Sequence, residues 1–477
     1  MYPALPFSLT LILLLLHILG ILSAFHSVMH TRTSQSAIAW SIALVTIPYL
    51  TLPFYWIFSR NKFHGYVQAF RTREKKISHI AKNLKEALHE FTVRLEDKEV
   101  EQKVLERLTE LPFTGQNKVD LLVDGEATFS EIFKGIDKAK DYILAQFYII
   151  NDDELGNKFK NKLMDAKKRG VSVYLLYDEI GSYSLSWSYI SELTEAGVHV
   201  HPFKTSKGKS NRFQVNFRNH RKIVVIDGKK AFVGGLNVGD EYMGLDERLS
   251  PWRDTHLLIK GPAVQCVQVT FVEDYYWATD YIPNLNWTPV AAKGGKLKAL
   301  VLSTGPADDF ESCNLFFVNE INSAKKRIII ASPYFVPDPQ TVSALKLAAM
   351  RGVDVQILFP KVWDQKFIWL AAFFFFEDIM RAGVRVFFYE PGFMHQKVML
   401  IDDEISSIGT ANFDNRSFRW NFEVSIVVAD KDFSKKVSAM IKKDMNASSE
   451  LMPIELENAS FLFRFKVRVA RLFSQIL

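Results

Sequence analysis

His220-Arg221-Lys222, followed by Asp227, Gly234-Gly235 and Asn237, is met again 175 residues later as His395-Gln396-Lys397, Asp402, Gly409-Thr410 and Asn412. The offsets from each histidine are the same in both copies: two to Lys, seven to Asp, fourteen to Gly and seventeen to Asn. A lone His-x-Lys carries no chemistry of its own, but a doubled one at fixed spacing describes a site assembled from two halves. Imidazole is a nucleophile and a proton carrier, lysine is a fixed cation, and asparagine donates an amide hydrogen bond without adding charge. Two of each around one centre suit phosphoryl transfer, in which one histidine attacks phosphorus and the other protonates the departing alkoxide.

Each run from Lys to Asp is apolar, Ile223 to Ile226 and Val398 to Ile401, and reads as a buried strand. On a strand His and Lys two apart face the same way. Asp227 and Asp402, five residues beyond their lysines, complete the motif but face away, so a structural part is expected of them within the catalytic set. Asp254 and Glu423, at comparable places in the two copies, are the candidates to hydrogen-bond the histidines and fix their tautomers. Gln396, between His and Lys, should point to the opposite face with little effect on chemistry.

The elements that must carry these residues repeat as well. Ala139-Lys-Asp-Tyr-Ile-Leu-Ala-Gln-Phe-Tyr148 parallels the segment from Ala324 to Phe335; each leads to an Arg-Gly-Val (Arg169, Arg351), a buried strand and an Ala-Gly-Val (Ala196, Ala382). This alternation predicts an α/β fold: two α/β/α repeats packed as one bilobal catalytic body, each a mixed or mainly parallel sheet between helices. The first copy spends 24 residues from Ala196 to His220 where the second spends 13 from Ala382 to His395. The insertion holds Lys204, Lys207, Lys209, Arg212 and Arg218 with no acidic residue, a loop suited to an anionic surface, a lipid headgroup or a nucleic-acid backbone. The expected division is 1–60, a transmembrane hairpin; 61–115, a basic and mixed-charge helical linker; 116–292, the first repeat; and 293–477, the second.

The hairpin is inferred from hydropathy. The first 59 residues carry one charged side chain, Arg32, between apolar stretches of about Pro6 to Phe25 and Ala37 to Phe58. Each has the roughly 20 residues that a helix needs to cross a bilayer. Pro48 and Pro53 should kink the second span, and His26 and His30, though four apart, have no third ligand in view. Arg60, Lys62, Arg71, Arg73, Lys75, Lys76, Lys82 and Lys85 against Glu74 alone place the flank on the cytoplasmic side. The net charge of +6 matters less than this distribution, and two cysteines, Cys266 and Cys313, in different repeats imply no disulfide framework. Phe367 to Phe376 reads as a buried core helix, with acyl-chain contact as the alternative. From Phe461 onward, Leu462, Phe465, Val469, Leu472, Phe473 and Ile476 form a stripe with basic flanks, a helix expected near a membrane interface, although a period-two alternation competes with it.

The paired motif matches the signature of the phospholipase D superfamily. The text from Asn216 to Asp227, Gly239 to Tyr242, Trp252 to His256 and Thr410 to Ser417 resembles the bacterial cardiolipin synthases of the membrane-anchored type, over nearly the whole chain. The resemblance implies two phospholipase D-like repeats and phosphatidyl transfer between two phosphatidylglycerol molecules, giving cardiolipin and glycerol through a phosphohistidine. It implies His220 as nucleophile and His395 as general acid, with the order of the two open, and Lys222, Lys397, Asn237 and Asn412 on the non-bridging phosphate oxygens. It further implies no cofactor, no metal and no nucleic acid, anionic membrane lipids as partners, and an integral protein of the bacterial cytoplasmic membrane with two spans and a cytoplasmic catalytic body. A hydrolytic phospholipase D, with water as acceptor, would use the same residues. An inactive lipid-binding scaffold is the reading from another class, against which the intact motifs argue.

Overall fold

The computed structural model describes residues 7–59, 66, 80, 82–96, 98–207, 216–475 and 477. Most of the basic flank (Arg60, Lys62, Arg71, Arg73, Lys75 and Lys76, with Glu74), Lys209 and Arg212 of the insertion, and Ile476 lie outside the described residues. The chain divides into two compact units, Met1–Arg71 with Thr205–Phe217, and Thr72–Lys204 with Arg218–Leu477.

In the first unit, helix Phe7–His30 is followed by Ser34–Thr46 and Pro48–Phe58. Among the described helices, only the first (Ser8–His30) is both long and apolar enough to cross a membrane on its own. The second apolar stretch breaks at Ile47, where ψ turns to 58°, and Pro48 opens a new helix. Proline has no N–H to continue the ladder and its ring is suited to a first turn. The helices meet closely: a Cβ on Gly20 would lie 2.3 Å from the Leu44 carbonyl oxygen, and Ala24, Leu44 and Tyr55 are buried together. Polar groups are matched inside this packing. The Tyr55 hydroxyl lies 2.7 Å from His26 Nδ1, and Trp56 Nε1 donates to Ser23 Oγ at 3.2 Å. From the insertion, Asn216 Nδ2 donates to the Ile57 carbonyl at 3.0 Å.

The second unit is built on a mixed sheet, because each repeat joins a parallel half to an antiparallel half. In the first repeat Tyr142–Phe147, Ser172–Asp178 and His199–Phe203 run parallel, and Tyr142–Phe147 then pairs antiparallel with Ile223–Ile226. Lys230–Gly234, Thr255–Lys260 and Thr114–Val123 continue antiparallel. The second repeat copies this order with Arg327–Ala331, Asp354–Pro360 and Arg385–Tyr389 parallel, then Val398–Ile401, Ile405–Gly409, Asn421–Ala429 and Leu297–Thr304 antiparallel. Thr114–Val123 and Leu297–Thr304 pair antiparallel and make one sheet of the two. The central strands are β-branched runs buried along their length, as a sheet covered by helices on both faces requires.

Helix Glu99–Thr109 is not a free spacer, since Leu95, Leu105 and Phe113 are buried in one core with Leu300 and Phe316. The phenylalanine-rich helix Lys366–Met380 is a core helix, burying Leu370 to Phe373, Phe375, Phe376 and Ile379. The C-terminal stripe is a helix, Phe461–Arg471, capped by Ser460 and packed on that core helix through Val467, Ala470 and a Phe463–Phe373 contact of 5.1 Å.

Candidate active site

The two His-x-Lys segments lie just ahead of the buried strands rather than within them, because each is held by the opposite repeat. Arg218–Asn219 pairs parallel with Asn421–Phe422, and the His220 N–H donates to the Phe422 carbonyl at 3.0 Å. Phe393–Met394 pairs parallel with Trp252–Arg253, and the His395 N–H donates to the Arg253 carbonyl at 2.7 Å. Each histidine faces a carboxylate of the other repeat. His220 Nδ1 lies 3.0 Å from both carboxylate oxygens of Glu423, and His395 Nδ1 lies 2.8 Å from Asp254 Oδ2. With Nδ1 donating to a carboxylate, each ring presents Nε2 as its basic nitrogen.

The carboxylates are built differently. Glu423 also accepts from Thr410 Oγ1 at 2.6 Å, Ser417 Oγ at 2.9 Å and Asn421 Nδ2 at 3.1 Å. Asp254 accepts from the Thr255 N–H at 2.7 Å, with Trp252 Nε1 3.5 Å away. The residue equivalent to Thr410 is Gly235, where a Cβ would fall 2.1 Å from Asp254 Oδ1. The one difference inside the Gly-Gly/Gly-Thr motif thus tracks the exchange of Asp for Glu: glycine makes room for the shorter acid, and threonine ties down the longer one.

Lys222 Nζ donates to the His220 carbonyl at 2.7 Å, and Lys397 Nζ to that of His395, so each ammonium is fixed beside its own imidazole with donors to spare. Asn237 accepts from the Ile149 N–H at 3.1 Å and donates to the Tyr242 hydroxyl at 3.1 Å. The buried Asn412 Oδ1 has no partner among the described residues. Asp227 and Asp402 serve the scaffold. Asp227 accepts from the N–H groups of Lys140, Asp141 and Tyr142, and Asp402 from those of Lys325, Lys326 and Arg327. Both sit in left-handed turns, with φ of 53° and 55°. Gln396 points away from the histidines, donating to Asp444 at 3.0 Å.

Spacing does not single out the aromatic walls. Tyr148 stands edge-on to His220 at 5.0 Å between ring centres, with Lys222 Nζ 5.3 Å from the Tyr148 ring. Trp252 and Phe393 flank His395 at 5.0 and 5.7 Å. The signal for Tyr148 is its place at the end of a repeated segment, where Tyr334 stands in the second copy.

Burial dominates the electrostatics. It pushes the His220 imidazole down to about 4, against the upward pull of Glu423, and holds His395 well below its ordinary value with help from Lys397 and Lys222. Both rings are therefore neutral near pH 7. Burial also lowers Lys397 to about 8 and pushes Lys222 well down. It raises the Asp254 carboxyl, whereas in Glu423 the same desolvation is outweighed by His220 and the other donors, which hold it below its usual range. The arrangement offers a neutral nitrogen backed by an ionised carboxylate, a second imidazole opposite, and two ammonium groups able to hold an anion between them.

The family model described as "Cardiolipin synthase, PLD-like domain" matches residues 132–265 and 317–445. The chain is 45% identical over 469 residues to cardiolipin synthase A of Pseudomonas entomophila (strain L48), covering 97% of each. It is 45% identical over 478 residues to cardiolipin synthase A of Pseudomonas putida (strain GB-1), covering 99% of each. Among solved structures, the phosphatidylserine synthase of Haemophilus influenzae Rd KW20 superimposes with a TM-score of 0.59 at 17% identity, over 79% of this chain and 100% of that one, a likeness of fold.

Proposed function

The chain belongs to the cardiolipin synthase family of phospholipase D-like proteins, and from that premise we propose that it is a phosphatidyltransferase joining two phosphatidylglycerol molecules into cardiolipin with release of glycerol. The crossed His–carboxylate pairs carry this reading: they set two neutral imidazoles, each with Nδ1 engaged, on one composite site. His220 Nε2 attacks the phosphorus of the first lipid, and the P–O bond to glycerol breaks as His395 supplies the proton. The resulting phosphohistidine keeps its Nδ1–H on Glu423, whose ionised state matches the positive ring; this favours His220 over His395 as nucleophile. A hydroxyl of the second lipid gives its proton to His395 and attacks phosphorus, releasing cardiolipin and restoring His220. Lys222, Lys397, Asn237 and Asn412 hold the non-bridging oxygens, and Asp227 and Asp402 fix the strands that carry them. His395, neutral in the free protein, takes its proton when the phosphodiester anion arrives and offsets the two lysines.

In this reading residues 1–60 form a two-span hairpin in the bacterial cytoplasmic membrane. Helix Phe7–His30 is one arm and the broken pair Ser34–Thr46 and Pro48–Phe58 is the other. The basic linker of 61–115 keeps the repeats 116–292 and 293–477 cytoplasmic. Incubation with phosphatidylglycerol vesicles tests the activity: cardiolipin and glycerol should appear one for one. Phosphatidic acid as the main product would make the protein a hydrolase, and no turnover with no phosphohistidine would leave a lipid-binding scaffold.

A further inference from the structure

In each repeat the first two parallel strands run antiparallel to the strand that follows the catalytic histidine. Their carboxyl ends therefore lie at the end of the sheet where His220 or His395 enters. The loop leaving Ser172–Asp178 is tied to this end: Ser182 Oγ donates to the Tyr148 carbonyl at 3.0 Å, and Asp178 accepts from the Asn219 N–H at 2.8 Å. The loop leaving Asp354–Pro360 is tied to it from the other repeat, through the Tyr334 hydroxyl on Asp364. Two equivalent loops thus flank the site.

The first carries apolar groups into solvent. Tyr183 and Trp187 of the first are 85% and 86% exposed, an unusual state for aromatics of this size. The second leads into the helix Lys366–Met380, whose Phe367 packs on Phe473 at 5.3 Å. Beyond Phe473 the chain end is fastened to the turn that follows Asn412, since Asn415 Nδ2 donates to the Ser474 carbonyl at 2.9 Å and the Arg416 N–H to that of Leu477 at 3.0 Å. The C-terminal helix therefore leads to the turn just beyond Asn412, and it is amphipathic. Phe461 and Leu472 are 78% and 77% exposed, Phe465 is exposed with them, and Arg464, Lys466, Arg468 and Arg471 stand on the surface of a helix with no acidic residue.

We infer that Tyr183 and Trp187 on one flank, and Phe461, Phe465 and Leu472 of the C-terminal helix on the other, dock the mouth of the site onto an anionic bilayer. The charge of the helix selects that occupant. Arg468 is ion-paired with Glu377, and Arg464, Lys466 and Arg471 leave three exposed cations on a helix with no acid of its own, which suit phosphate headgroups, while aromatic and aliphatic tips suit the boundary below them. The inference rests on the lipid-transfer reading. Docked this way, the site draws a phosphodiester from the surface while the acyl chains stay in the membrane.

The full-length protein, reconstituted in phosphatidylglycerol bilayers, tests it. Trp187→Cys and Phe465→Cys take an environment-sensitive dye without interference, because Cys266 and Cys313 are buried. Both dyes should be quenched by bromine on the lipid acyl chains and shielded from aqueous iodide. Tyr183→Ser with Trp187→Ser, and separately Phe461→Ser with Phe465→Ser and Leu472→Ser, should lower turnover of long-chain phosphatidylglycerol in bilayers by roughly tenfold or more. Turnover of soluble dihexanoyl-phosphatidylglycerol should stay unchanged. Dyes open to iodide, equal effects on both substrates, or dye burial in detergent that grows with protein concentration, the mark of a contact between copies, would each overturn it. A wild type that makes no diphosphatidyl product from the soluble lipid would sink the transfer reading instead.

Discussion

His220 Nδ1 lies 3.0 Å from both carboxylate oxygens of Glu423, a residue 203 positions further along the chain and in the other repeat. His395 and Asp254 mirror the contact in the opposite sense. Neither repeat therefore holds a complete His–acid pair.

Glu423→Gln should preserve the fold and abolish turnover. An amide NH₂ facing Nδ1 moves the ring proton to Nε2, where it blocks attack. The expected loss is roughly 10²–10⁴-fold in kcat, with no phosphohistidine formed, and Asp254→Asn should cost as much through His395. Activity within about threefold of wild type in either variant would remove the crossed pairs from the mechanism.

His220→Ala and His395→Ala should each abolish cardiolipin formation but differ with an activated lipid. A phosphatidyl ester of p-nitrophenol leaves without a proton, so His395→Ala should still release nitrophenol in a burst and hold the phosphatidyl group on His220, seen by mass spectrometry. His220→Ala should give no burst. An adduct on His395 would reverse the two roles.

The pH dependence follows from which form of each group works. His220 attacks only when neutral, so kcat/KM should fall as pH drops through about 4. His395 must gain a proton that the free protein holds weakly, so kcat/KM should already decline as pH rises above its lowered value, and because Lys397 holds phosphate only when charged the fall should steepen as pH rises through about 8. Stability has its own sign. Between the ordinary imidazole value of 6.5 and about 4 the unfolded chain binds a proton that folded His220 refuses, so Tm should fall as pH is lowered through that window. An alkaline limb displaced beyond pH 10 would show that Lys397 is not the cation required.

Asp227→Ala and Asp402→Ala should act on stability. Each strips the acceptor from three backbone N–H groups, a loss of roughly 3 kcal/mol read in denaturant unfolding. The molecules that remain folded should keep kcat within a few-fold, and Asn, which tolerates the left-handed turn, should recover part of the stability. A thousandfold loss of kcat without loss of stability would make these aspartates catalytic.

The motif spacing is enough to find both histidines and both lysines, since these lie at fixed offsets in a repeat; the two acids stand only at comparable places, Asp254 34 residues after His220 and Glu423 28 after His395. The crossing is invisible at that level. It depends on two short parallel pairings, Arg218–Asn219 with Asn421–Phe422 and Phe393–Met394 with Trp252–Arg253, between segments with no shared pattern. The same pairings draw His220 and His395 out of the strands in which a periodicity of two would put them. Hydropathy reports that residues 37–58 are apolar and the prolines announce a kink, but not which of the two breaks the helix: Pro48 opens a new one, while Pro53 lies inside it. Tyr148 and Trp252 escape notice since an aromatic beside a strand is ordinarily core.

The exchange of carboxylates has a consequence for how such a chain could arise. Two separate molecules of a single repeat, related by a two-fold axis, would make the same reciprocal contact, each lending its acid to the other's histidine. Joining them end to end requires no new active-site chemistry, only a connection. Once joined, the halves are free to diverge, as Gly235 beside Asp254 and Thr410 beside Glu423 have done. One polypeptide thus retains the mutual dependence of a homodimer, and the halves expressed as separate chains should each be inert and recover function only as a pair.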